Sequence, residues 1–279
     1  MFKLNVPYLS QTDNVINPYG ACNVTSMAMV MQYYGIEKRG QQLEDEFYQY
    51  VESHGGSRHS PYDLAYYFEA FTKADGNHCF DNFVIDGTVE KIKSHLGTNN
   101  PVVTHGYFTN FGHIIVIIGY DGNDFICHDP YGEWWDWGYD INDSSNPNKG
   151  KSIRYSFDLM KRLCAPDGQW WCHFFSSSKP SPYAPLTEDE KDGLSGVTSV
   201  WDVLDMNIDL EFKIGVHLKN QLIKNVQVCL SAHLNLEVKR DGVLGPETEG
   251  AYREAMKIHG CREYRLGERE AKLLIQGKL

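Results

Sequence analysis

The stretch GACNVTSMAMVMQYYG, residues 20–35, sets a cysteine at the head of an apolar run. A thiol is a weak nucleophile near neutral pH until its pKa falls. A helix N-terminus lowers it, because the unpaired N–H groups and the helix dipole favour thiolate. Cys22 follows the flexible Tyr19-Gly20-Ala21, where a core cysteine would more often lie in mid-helix. A thiolate nucleophile also needs a proton partner, and the partner needs an orienting acceptor. His113, after Gly112, begins the apolar segment HIIVIIGY, and Asp129 ends the next one in HDPYG. Acyl transfer further requires donors for the oxyanion, namely a side-chain amide and a backbone N–H at the helix start. Gln11 is the expected amide, with Asn14 and Asn17 nearer in sequence as competitors.

The elements that must hold these groups are legible in the pattern. Val24, Met27, Ala28 and Met31 recur at helical spacing and predict one apolar face, with Gly35 as the stop. Residues 41–53 and 61–73 read as two more helices, the second begun at Ser60-Pro61. PVVTH (101–105), HIIVIIGY (113–120) and DFICHD (124–129) read as strands, the last two joined as a hairpin. Helices followed by an antiparallel sheet predict an α+β fold. Register decides whether the site can exist. A two-residue Gly122-Asn123 turn puts His113 and Asp129 on opposite faces, and brings His128 to the face of His113. A three-residue Asp121-Gly122-Asn123 turn, or a bulge with the same effect, puts His113 and Asp129 on one face. The odd register is the expectation.

Other chemistry-bearing residues point less sharply. Trp134, Trp135 and Trp137 either line a substrate groove beside Asp129 or fold back over the sheet; they are the candidate substrate-binding residues. Asp136, Asp140 and Asp143 suggest calcium but lack the alternating ligand loop. Cys164 and Cys172 with His173 fit no common zinc spacing. No metal and no cofactor is expected. The seven cysteines are scattered, unlike a secreted disulfide framework.

The net charge of −11 argues against a nucleic-acid partner. Residues 1–178 carry 12 basic and 21 acidic side chains, residues 179–279 carry 14 and 16, so the acidity belongs to the first part. No apolar run suits membrane insertion, and the N-terminus lacks a signal-peptide pattern. KPSPYAPLTEDEKDGLSG, from residue 179, reads as a linker. The expected organisation is a first domain over 1–178, a linker over 179–197 and a second domain over 198–279.

VPYLSQTDN…YGACNVTSMAMVMQYYG, PVVTHG, GHIIVIIGYD and HDPYG, within residues 5–132, resemble the papain-like cysteine peptidases that remove double-glycine leaders during bacteriocin processing. The resemblance implies a papain-like fold, helices packed on an antiparallel sheet, with Cys22, His113, Asp129 and Gln11 as catalytic residues. Two departures stand out. The loop from Gln11 to Cys22 is longer than the family's usual spacing, and Asn23 stands where many relatives have glycine. In the second part, a Leu-rich helical pattern (Leu222, Val226, Leu230, Leu234) leads into DGVLGPET, residues 241–248. Asp241, Gly242, Gly245, Pro246 and Thr248 resemble the turn of the small all-α, three-helix peptidoglycan-binding domain. Together the two resemblances imply a hydrolase of bacterial peptidoglycan. The arrangement is like that of a phage endolysin made in the host cytoplasm without a signal peptide and acting on the cell wall. The alternatives are a peptidase or transferase acting on a peptide or protein, and a non-catalytic wall-binding protein.

Overall fold

The computed structural model describes residues 1–37, 40–140, 146–179 and 181–183, together with Gln227, Lys239 and Arg240. The chain divides into two units, Met1–Ala184 and Pro185–Leu279. The helical pattern expected over 198–279, with Asp241 to Thr248, lies outside the described residues apart from those three positions.

The first unit is α+β. Its elements run β1 (Phe2–Lys3), a 3-10 turn (Gln11–Asp13), α1 (Cys22–Tyr33), α2 (Leu43–Ser53), α3 (Pro61–Ala74), β2 (Cys79–Val84), α4 (Val89–Leu96) and β3 (Val102–Gly106). There follow β4 (His113–Asp121), β5 (Asp124–His128), β6 (Trp134–Trp135), β7 (Gly138–Tyr139), β8 (Ile153–Ser156), α5 (Phe157–Cys164) and β9 (Cys172–Ser177). The main sheet is antiparallel in the order β2-β9-β3-β4-β5-β8, with β1 also on β4. β6 and β7 form a separate hairpin. β2, β9 and β8, together with α4 and α5, were not anticipated, because pairings such as β2 with β9 join segments almost a hundred residues apart.

Helix α1 differs from the single-faced helix expected. Met27, Ala28, Met29, Val30, Met31 and Tyr33 are all fully buried, so burial extends well beyond one face. It packs against β4 on one side and against α2 and α3 on others. Each such fully buried large side chain contributes about 1.5–3 kcal/mol of transfer free energy. A helix so largely enclosed is a firmly anchored mount for Cys22. Gly35 does end the helix region, at φ 82°.

The β4–β5 hairpin turns on two residues, Gly122 and Asn123, since Asp121 pairs with Asp124; a three-residue turn is not formed. That turn alone would separate His113 from Asp129. A bulge at Ile118 then shifts the ladder, so that Ile117 pairs with Cys127 and Val116 with His128. Continued one step, this register puts Ile115 beside Asp129 and His113 on the face of Asp129. The bulge produces the odd register. Gly119 sits where β1 meets the bulged strand: a Cβ there would come within 2.2 Å of the Phe2 carbonyl oxygen.

Candidate active site

Cys22 is the first residue of α1, and the residue before it, Ala21, offers no side-chain cap. The Cys22 N–H at the very start of the helix is thus left for whatever lies in front of the thiolate. The segment before the helix is tied down from outside. Arg58 Nη1 donates to the Gly20 carbonyl at 2.5 Å, and Asn23 Nδ2 donates to the Arg58 carbonyl at 2.6 Å. Asn23 Oδ1 accepts from the Val24 N–H at 2.9 Å. Asn23 therefore serves as a tether between α1 and the α2–α3 loop, which a glycine could not do.

His113 opens β4 and is 5% exposed. Its Nε2 lies 2.7 Å from Asp129 Oδ1. The other ring nitrogen, Nδ1, is left for Cys22, with which His113 shares a side-chain hydrogen bond. Burial alone would raise the Cys22 thiol. The charge and hydrogen bond of His113, with a backbone hydrogen bond from Ile114, outweigh burial and hold the thiol below its ordinary value. Burial alone would lower the His113 imidazole. The Asp129 and Cys22 charges and hydrogen bonds outweigh it and push His113 up to about 10. Both shifts favour a thiolate–imidazolium pair. Cys22 is only partly buried, whereas Cys79, Cys127, Cys164 and Cys172 are buried free thiols.

Asp129 is fully buried, and Pro130 follows it. Its Oδ1 also accepts from the Tyr131 N–H at 3.0 Å, and its Oδ2 accepts from the Tyr139 and Tyr155 hydroxyls at 2.8 and 3.2 Å. The Tyr8 hydroxyl donates to the Asp129 carbonyl at 3.1 Å, and the Asp129 N–H donates to the Gly150 carbonyl at 2.9 Å. None of Tyr8, Tyr139, Tyr155 or Gly150 was anticipated. They are ordinary members of a chain with 17 tyrosines and 25 glycines, and nothing local marks them. His128, the rival of Asp129 in the even register, is engaged elsewhere: its Nε2 meets the Val6 carbonyl at 2.8 Å, and its Nδ1 accepts from the Ser152 N–H at 3.0 Å.

Among the amides, Asn14 donates to Thr25 Oγ1 at 3.0 Å, along α1, and Asn17 is exposed beside Gly20. Gln11 is buried; its backbone N–H bonds the Pro130 carbonyl at 2.9 Å, next to Asp129. Its Nε2 donates to the Pro18 carbonyl at 3.0 Å, which uses one of two amide hydrogens, and its Oε1 has no partner. The long loop between Gln11 and Cys22 is held by Asp45, which accepts from the Val15 and Ile16 N–H groups at 3.0 and 2.9 Å.

The three tryptophans divide. Trp134 is fastened by its backbone N–H to the Tyr155 hydroxyl and by Nε1 to the Phe108 carbonyl, both at 2.8 Å. Trp135 and Trp137 are 48% and 70% exposed on the β6–β7 hairpin, whose Tyr139 ring packs 5.4 Å from the His113 ring. Asp136 pairs with Arg162 at 2.8 Å, and Asp143 lies outside the described residues. His173 is not with a cysteine pair: its Nδ1 meets Asp81 at 2.8 Å and its Nε2 meets His105 Nε2 at 2.9 Å. Among the described residues, no three His, Cys, Asp or Glu side chains converge as metal ligands. No helix among them is long and apolar enough to cross a membrane.

Residues 3–162 match the Peptidase_C39 like family. No curated protein matches the chain in sequence. Among solved structures, it is similar to one described as a C39-like peptidase from Bacillus anthracis. Identity is 17%, covering 65% of this chain and all of that one, with a TM-score of 0.41. A double glycine motif protease from an AMS/PCAT transporter, in complex with its leader peptide, is 20% identical over 62% of this chain and 93% of that one, TM-score 0.37. The peptidase domain of Streptococcus ComA is 15% identical over 67% of this chain and all of that one, TM-score 0.38.

Proposed function

Because the chain belongs to the Peptidase_C39 like family, we propose that it is a cysteine peptidase that uses Cys22, His113, Asp129 and Gln11 to cleave an amide bond of bacterial peptidoglycan, in the manner of a phage endolysin. The observation that carries the catalytic part is the connected line from Cys22 through His113 to Asp129, with the histidine 2.7 Å from a fully buried carboxylate. In this reading the Cys22 thiolate attacks the amide carbonyl carbon. The Cys22 N–H and the second Gln11 amide hydrogen receive the oxyanion, donors of a kind worth about 2.7–4 kcal/mol each. The His113 imidazolium gives its proton to the leaving amine, the C–N bond breaks and a thioester remains. Water then adds to the thioester with His113 as base, releasing the acid and restoring the thiol pair.

The wall as substrate rests on the sequence of residues 241–248, DGVLGPET, and its likeness to the peptidoglycan-binding turn. Joining a hydrolase to a wall-binding module raises the local concentration of scissile bonds without new contacts at the thiolate. The acidity of residues 1–178 opposes electrostatic attraction to an anionic wall, so retention falls to residues 198–279. Trp135 and Trp137, exposed on the hairpin beside His113, are the proposed substrate-facing residues.

The test is mass spectrometry of purified peptidoglycan after digestion by the wild type and by Cys22→Ala. New amine termini or free stem peptides with the wild type alone establish the hydrolase, and the masses identify the bond. Walls left intact by both proteins overturn the wall substrate. Cleavage of a double-glycine leader peptide by the wild type, in that case, would assign peptide processing.

A further inference from the structure

Asp129 is enclosed by donors alone. His113 Nε2 and the Tyr131 N–H face its Oδ1, and the Tyr139 and Tyr155 hydroxyls face its Oδ2. That fills the four lone-pair sites of a carboxylate. A fully buried carboxylate stays ionised only when such donors replace water. The two phenols cannot give up their protons in competition, because burial and the Asp129 charge hold both far above the usual tyrosine range.

Both phenols are placed by the same small element. Tyr139 is the last residue of β7, and its ring packs edge-on to Tyr131 at 5.0 Å and beside His113 at 5.4 Å. Tyr155 comes from β8, but its oxygen accepts the Trp134 N–H of β6 at 2.8 Å, which turns its own hydrogen toward Asp129. The two arms of one hairpin thus converge on one oxygen.

We propose that the β6–β7 hairpin is a clamp on Asp129, with Tyr139 acting directly and Tyr155 acting with Trp134 as positioning residues that hold the carboxylate aimed at His113. This rests on the catalytic reading of Cys22, His113 and Asp129. Neither tyrosine touches the reacting atoms. Their effect passes through Asp129: when its carboxylate is no longer held toward His113, the imidazolium loses part of its support and the thiolate–imidazolium pair is weakened. The other ionisable groups facing Asp129 are Tyr8, which spans to its carbonyl, and the thiols of Cys22 and Cys127.

The experiment follows the rate of Cys22 alkylation by iodoacetamide against pH in the full chain, read by mass spectrometry of the Cys22 peptide. Tyr139→Phe keeps the ring and deletes one hydroxyl. Its acid midpoint is expected to move up by about one pH unit, the scale of one hydrogen bond to a charged group. The rate at alkaline pH should be unchanged, because the thiolate forms there in any case. Tyr155→Phe provides a second reading of the same shift, and Tyr66→Phe, an exposed tyrosine on α3, is expected to leave the midpoint in place. Unmoved midpoints in both Tyr139→Phe and Tyr155→Phe, with a low wild-type midpoint, overturn the clamp and leave the catalytic reading standing. A wild-type Cys22 that titrates as an ordinary thiol overturns the catalytic reading, and the clamp with it.

Discussion

Gly150 offers a way to disturb the site without deleting any group that takes part in it. It is buried, and its carbonyl accepts the Asp129 N–H at 2.9 Å. A Cβ on Gly150 would stand 1.8 Å from the Asp129 carbonyl oxygen and 2.9 Å from the Tyr8 hydroxyl. Real Cβ atoms do not approach closer than 3.0 Å, so the two backbones must part by roughly 1.2 Å. The closest clash is with the Asp129 backbone, which cannot give way cheaply. If Asp129 takes up the movement, its 2.7 Å bond to His113 stretches past hydrogen-bonding range. Misplacement by about 1 Å costs on the order of 100-fold in rate, and overpacking costs about 1–3 kcal/mol of stability. The assay is Cys22 alkylation at about pH 5.5, where only an activated thiolate reacts. Cys79, pushed up by burial to about 11, and Cys172, to about 12, stay silent there. Gly150→Ala should fold, with a lower unfolding free energy, and lose most of its acid-pH alkylation. A folded Gly150→Ala that alkylates at the wild-type rate would refute the claim that this backbone contact sets the position of Asp129.

The same geometry leads to three further outcomes. Activity should fall as pH rises through about 10, where His113 loses the proton it gives to the leaving amine; a rate that keeps rising beyond that pH excludes His113 as the acid. Burial holds His128 neutral, lowered to about 3, while the unfolded chain binds a proton near 6.5, so stability is full above 6.5 and declines as pH falls. Urea unfolding should show about 2 kcal/mol lost between pH 6.5 and 5 from this residue, and His128→Gln should have a flatter profile; parallel profiles would discount it. Asp45→Ala strips the acceptor from two backbone N–H groups in the loop before Cys22. A loss of about 1–3 kcal/mol is expected by the same unfolding measurement, and no loss would mean that the loop is held elsewhere.

Range decides which features the sequence reveals and which it hides. The helix at Cys22 and the strands at 102–106, 113–121 and 124–128 announce themselves because their apolar spacing is local. Cys22, His113 and Asp129 stand out for the same reason: each sits at the end of such an element. The bulge at Ile118 lies where a strand from the N-terminus docks, with the Leu4 N–H on the Ile118 carbonyl at 2.8 Å, a long-range contact that local spacing does not reveal. The extensive burial of α1 is hidden too, because it depends on helices and strands that arrive later in the chain. Residue type does not separate Gln11 from Asn14 and Asn17; only folding gives them different partners, Thr25 for the Asn14 side chain and the Pro130 carbonyl for the Gln11 backbone. Tyr139 and Tyr155 were invisible because they matter only through a carboxylate that folding brings to them.

The bulged hairpin has a consequence for how this chain can change over generations. His113 and Asp129 stay on one face through the parity of the segment that joins them, and the bulge is where one surplus residue is stored. A single insertion or deletion between them turns Asp129 outward and silences the site without touching any residue in it. A second change of one residue, anywhere in the same segment, restores the parity. Loss-of-function indels here should therefore have intragenic suppressors that lie along the hairpin rather than at the thiol, histidine or carboxylate. Lineages could then exchange a two-residue turn with a bulge for a three-residue turn without one, and keep the same chemistry throughout.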